Sequence, residues 1–132
     1  MVRYRVHACT DVTGFSLLGH LLEMTQGSGL SARIDTKKIT FLPEVLELAR
    51  MGVLPAGLYR NRSFAEASVD AGSVELAVQD LLYDPQTAGG LLIAAHPDDA
   101  DALQDALEAS VPCAQRIGCL LAYDGGARIC LR

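Results

Sequence analysis

Between Thr10 and His20 the chain reads Thr-Asp-Val-Thr-Gly-Phe-Ser-Leu-Leu-Gly-His, which sets a carboxylate directly before a glycine-flanked turn that opens an amphipathic helix. A strand, a tight turn and a helix must follow one another here. Residues Val2 to Cys9 alternate imperfectly, with Val2, Tyr4 and Val6 on one face and Arg3, Arg5 and His7 on the other, so a short strand leads in. From about Thr13 to Gln26 the apolar positions Phe15, Leu18 and Leu22, joined by Leu17, Leu21 and Met24, follow helical steps and give one broad buried face. Gly27 and Gly29 end that helix. From the residues alone Asp11 carries two readings: an N-cap of the helix, or a ligand for a hard cation whose bound anion faces the free N–H groups of the first turn.

The remaining segments alternate between the two periods. Leu30 to Asp35 alternates as a half-buried strand. Pro43 opens a helix from Glu44 to Met51, closed by Gly52, with Leu42, Val45, Leu46 and Ala49 as its stripe. Val53 to Asp70 holds Pro55 and Gly57 and has weak periodicity, so it is expected to be mainly loop; it carries the basic cluster Arg60-Asn61-Arg62. Ser73 to Leu82 has helical spacing, stopped by the Asp84-Pro85 step. Leu91 to Ala95 is an unbroken apolar run of the kind covered on both faces, which predicts a central strand. Pro97 begins a last helix, to about Ala109, with Ala102, Leu103, Ala106 and Leu107 inward. Gln115 to Ala122 and Ala127 to Leu131 predict a hairpin about the turn Tyr123-Asp124-Gly125-Gly126. The pattern is α+β, with helices packed on a layered mixed sheet.

Half of the 132 residues are hydrophobic, enough to bury a core, and residues 1–132 read as a single domain. The net charge of −5, without long blocks of Lys or Arg, leaves no electrostatic footprint for direct nucleic-acid or anionic-membrane binding. No apolar run approaches the ~20 residues of a spanning helix, and Met1 to Arg5 lacks the apolar core of a signal peptide, so a cytoplasmic protein is expected. Cys9, Cys113, Cys119 and Cys130 match no zinc spacing and are expected to be reduced and mostly buried. No Walker loop, dinucleotide fingerprint or Ser-His-Asp pattern occurs, and no catalytic residue is assigned.

A second motif, Asp84-Pro85-Gln86-Thr87-Ala88-Gly89-Gly90, joins a turn to the apolar run; its glycines either let backbone amides approach an anion or simply make a tight turn. With both motifs in this order, the chain from about Val6 onward resembles the C-terminal domain of the selenophosphate synthetase (selenide, water dikinase) family, whose members typically carry Thr-Asp-Val-Thr-Gly-Phe-Gly-Leu-Leu-Gly-His and Asp-Pro-Gln-Thr-Ser-Gly-Gly. Ser16 stands where the family usually has glycine, and Ala88 where serine is common. The resemblance implies the layered α+β fold of the aminoimidazole ribonucleotide synthetase superfamily, distantly ferredoxin-like.

It also implies an enzyme that uses ATP, selenide and water to make selenophosphate, AMP and phosphate with Mg2+. ATP and metal would be bound mainly by an N-terminal domain, the first partner of this one, which also holds the reactive Cys or Sec. This chain alone is then expected to be inactive, and the full-length protein to be a homodimer. Within the resemblance Asp11 joins acids of the other domain as a metal ligand. Thr10 and Thr13 offer hydroxyls for capping or phosphate contact, and Gly14 lets a ligand come close. Gln86 and Thr87 shape the interdomain cleft, and Asn61 is a candidate because the family often has an Arg-Asn pair at this point. Two alternatives stand beside this reading: a non-catalytic binding or assembly module, and another superfamily enzyme such as aminoimidazole ribonucleotide synthetase, thiamine-monophosphate kinase or a hydrogenase-maturation protein.

Overall fold

The computed structural model describes residues 3–111 and 113–132; Val2, placed above at the start of the leading strand, lies outside them. Among these residues six strands and five α-helices follow one another as β1 (Val6–Asp11), α1 (Ser16–Ser28), β2 (Leu30–Ile34), α2 (Val45–Arg50), α3 (Gly57–Ala65), β3 (Val69–Asp70), α4 (Leu76–Leu82), β4 (Leu91–Ala95), α5 (Pro97–Glu108), β5 (Gly118–Ala122) and β6 (Ile129–Leu131). Four strands form a mixed sheet in the order β3-β6-β2-β5, in which β2 runs parallel to β6 and antiparallel to β5. β1 and β4 pair antiparallel as a separate ribbon, with Asp11 opposite Leu91. Helices and mixed sheet together are the α+β class read from the sequence.

The core lies where α1 and α3 meet the sheet. Leu18, Leu21 and Leu22 of α1 and Leu58 and Ala65 of α3 pack with Ala32, Ile34, Ile129 and Leu131 of the sheet and with Leu82. Fully burying one such leucine contributes about 1.5–3 kcal/mol. Gly29, in the left-handed conformation at φ 69°, closes α1 and turns the chain into β2.

Four expectations are corrected. Residues 53–70 are not mainly loop: α3 occupies Gly57–Ala65, because Leu58, Asn61 and Ala65 recur on one buried face, and a polar residue in the middle of that stripe weakens the periodic signal. β4 is no central strand; it pairs only with β1 among the described residues, and Leu91 is 61% exposed. The turn after β5 forms, with the Asp124 carboxylate accepting from the Gly126 N–H, yet β5 and β6 are not a hairpin, because β2 is inserted between them. Cys9, Cys113 and Cys119 are exposed, two of them because they sit on the open ribbon and on the edge strand β5.

At the ends of helices the boundaries also shift. α1 begins at Ser16, after a turn at residues 13–15, and α2 at Val45, with Pro43 outside it. Of the apolar face expected on α5 only Leu103 is buried, and the helix is tied down through its first turn, where Asp99 accepts from the Arg5 backbone and guanidinium at 2.8–2.9 Å. Those bonds hold the Asp99 carboxyl well below the usual carboxylate range.

Candidate functional site

The two motifs, more than sixty residues apart in sequence, are neighbours in space. β1 delivers Thr10 and Asp11 beside the start of β4, and the chain then leaves the ribbon through Val12 into the turn before α1. The Val12 N–H donates to Gly90 O at 2.8 Å and the Gln86 N–H to Thr13 O at 3.2 Å, so each motif supplies backbone donors to the other. Gly89 sits inside this junction, where a Cβ would collide with the Val12 carbonyl and the Gln86 side-chain oxygen. Its glycine is required by that close approach.

Asn61, buried on α3, completes the junction. Its Nδ2 donates to Gly14 O and to Tyr83 O, each at 3.0 Å, so a single amide ties the first motif to the residue just before the second. The next residue, Arg62, pairs with Asp80, and its guanidinium lies 5.1 Å from the centre of the Tyr83 ring. A Cβ at Gly57 would come 2.9 Å from Pro85 Cγ, so the start of α3 also lies directly against the second motif.

The capping role open to Asp11, Thr10 and Thr13 is not the one they take. Asp11 ends a strand, four residues before the N-cap position Phe15. Thr10 Oγ1 donates to Asp11 O at 3.3 Å, and Thr13 Oγ1 shares a hydrogen bond with His20 Nε2 at 3.1 Å. The first turn of α1 is instead served by Ser16, whose hydroxyl accepts from the Gly19 N–H at 3.2 Å. Asp11 itself is exposed, and its carboxylate has no hydrogen-bond or ion-pair partner among the described residues. Among those residues no group of three or more His, Cys, Asp or Glu could hold a metal, so Asp11 can offer one ligand and not a complete site.

Gly14 and Asn61 line a cavity of about 300 Å³ with Phe15, Arg60 and Phe64. A Cβ at Gly14 would meet open space, so nothing among the described residues demands glycine there. On the other side of Pro85, Asp84, Gln86 and Thr87 border a second cavity of about 400 Å³ with Thr40 and Phe41. Partial burial pushes the Asp84 carboxyl above its ordinary value. Asp84 was not singled out from the sequence as a site residue, nor was the Arg62–Asp80 pair; the side-chain partners of a helix face are set by tertiary packing and leave no local signal.

Ser16 carries a second load. It is fully buried with φ at 73°, a left-handed conformation natural to glycine, at the one position of the first motif where this chain departs from the glycine usual in the family it resembles. Ser16→Ala keeps the strained backbone and loses the hydroxyl acceptor, and is expected to cost about 1–2 kcal/mol in urea unfolding. Ser16→Gly trades the acceptor for relief of strain and is expected to stay within about 1 kcal/mol of the parent. Equal losses in both variants would remove the strain argument.

Comparison with known proteins agrees with this architecture. Residues 1–129 match the model of the family described as AIR synthase related protein, C-terminal domain. A selenide, water dikinase of Treponema denticola is 49% identical over 116 residues, 86% of this chain and 33% of its own length. One from Pelobacter propionicus is 50% identical over 117 residues, 87% of this chain and 34% of its own. The Escherichia coli K12 protein of the same name is 52% identical over 93 residues, 70% of this chain and 26% of its own. The chain spans about a third of the length of the first two. No helix among the described residues is long and apolar enough to cross a membrane.

Proposed function

This chain belongs to the AIR synthase related family as a C-terminal domain of that kind, and from this we propose that it is the C-terminal domain, over residues 1–132, of a selenide, water dikinase. The complete cytoplasmic enzyme makes selenophosphate, AMP and phosphate from ATP, selenide and water. The observation that carries the reading is the docking of the two motifs, which brings Asp11, a carboxylate without a partner among the described residues, to an exposed corner between β1 and α1. Phosphoryl transfer needs in-line positioning and neutralised phosphate charge rather than elaborate covalent chemistry from the protein.

In this reading Asp11 provides one carboxylate oxygen for Mg2+ and the partner domain provides the others, since a hard cation takes oxygen ligands and retains several waters. Bound there, the ion neutralises phosphate oxygens. Thr10 and Thr13 flank Asp11 with hydroxyls, and Gly14 leaves the approach clear of a side chain. Gln86 and Thr87 shape the wall beyond Pro85. An N-terminal domain of the same polypeptide supplies most of the ATP site and packs on this face, and the complete protein is a homodimer. The exposure of Leu91 (61%), opposite Asp11 on the ribbon, and of Phe15 (59%), at the entry to α1, supports a covering partner there.

The test is a chimera in which this chain replaces the matched third of the Treponema denticola enzyme, given ATP, selenide and Mg2+ and followed by phosphorus NMR. Selenophosphate and AMP are expected from the chimera and neither from the 132-residue chain alone. A folded chimera that turns over no ATP would sink the assignment.

A further inference from the structure

We infer that Asn61 is a positioning residue for this reaction: it does not bind the nucleotide, but clasps the Asp11–Gly14 turn to the Tyr83–Gly90 loop and thereby sets where Asp11 stands. The inference rests on the proposed dikinase reading for its catalytic consequence, though not for the clasp itself. Asn61 is only 7% exposed and sits on α3 between the apolar Leu58 and Ala65, a costly place for an amide without partners. Its nitrogen has two hydrogens, and both are used, one on Gly14 O and one on Tyr83 O at 3.0 Å each. No hydrogen remains on that nitrogen for a phosphate oxygen.

The two carbonyls are well chosen for a clasp. Gly14 lies three residues beyond Asp11, and Tyr83 immediately precedes the second motif. Arg62 reinforces the second grip through Asp80 and the face of the Tyr83 ring. Without the amide, the hydrogen bonds between these segments outside the β1–β4 ladder reduce, among the described residues, to the Val12–Gly90 and Gln86–Thr13 backbone bonds. Those two bonds are therefore the sensitive reporters of the clasp.

Asn61→Ser, which is too short to reach both carbonyls, tests this in the chimera. Hydrogen exchange of the Val12 and Gln86 amides is expected to speed up at least tenfold, with the β2–β6 amides unchanged. At a temperature well below melting, kcat is expected to fall at least tenfold while the KM for ATP stays within twofold. Asn61→Asp, equal in shape but without the N–H donors, moves the same readouts the same way and serves if the serine variant does not fold. Unchanged exchange at Val12 and Gln86 would overturn the clasp. A tenfold rise in KM with kcat retained would make Asn61 a ligand, and a lowered melting temperature with kcat unchanged would make it merely structural; each overturns the positioning role. A parent chimera without selenophosphate activity defeats the dikinase reading alone, because the exchange measurement still decides the clasp.

Discussion

Asp11→Asn in the chimera is expected to lower selenophosphate formation by at least about a hundredfold, the usual scale for removing one preorganised electrostatic contact to a charged transition state. The substitution keeps size and shape and removes only the charge. Because the Asp11 carboxylate has no hydrogen-bond or ion-pair partner among the described residues, the fold should not register the change. The melting temperature is expected to shift by no more than about 2 °C, roughly the effect of a few tenths of a kcal/mol on a domain of this size. Phosphorus NMR of product and a thermal melt of the same sample check both halves. A second signature follows from the chemistry: raising Mg2+ should recover part of the lost rate, since a site short of one carboxylate still holds the ion weakly. Full turnover in the variant would leave Asp11 as a surface residue at the end of a strand.

Much of this architecture was legible where a segment's own residues decide its conformation. The α1 stripe of Leu18, Leu21 and Leu22 and the glycine at 29 appear as read, as do the strand at Leu30–Ile34, although its alternation breaks at the buried Ser31, and the proline start of α5. What failed depended on partners distant in sequence. The β4 run has the composition of a covered strand, but composition does not say what covers it, and within this chain its only strand partner among the described residues is β1. The hairpin failed for the same reason: the turn chemistry at Asp124-Gly125 is right, but β2, ninety residues earlier, takes the place between the two strands. α3 was hidden by Asn61 itself. A buried amide on an apolar stripe contradicts local pattern, and such conflicts between levels concentrate where a residue serves geometry rather than stability.

The same logic separates the two glycines of the second motif. Gly89→Ala would place a methyl group against the Val12 carbonyl, which cannot retreat freely because the Val12 N–H is bonded to Gly90 O and the neighbouring β1–β4 ladder holds Asp11 to Leu91. The Gln86 side chain can swing away, but the backbone contact remains, so the loop must lift from the turn. A loss of about 2–4 kcal/mol in urea unfolding is expected, the range for overpacking joined to broken backbone bonds. At Gly90 the same methyl meets open space, and the expected change is within about 0.5 kcal/mol. If the glycines served only to bring backbone amides to an anion, both substitutions would spare stability and both would weaken phosphate binding. The contrast therefore decides what the pair is for. A large stability loss at 89 alone makes Gly89 the seam along which the two motifs are fitted, and a Gly90 variant that keeps its stability but loses ATP turnover in the chimera would assign the anion-facing backbone to the residue beside it.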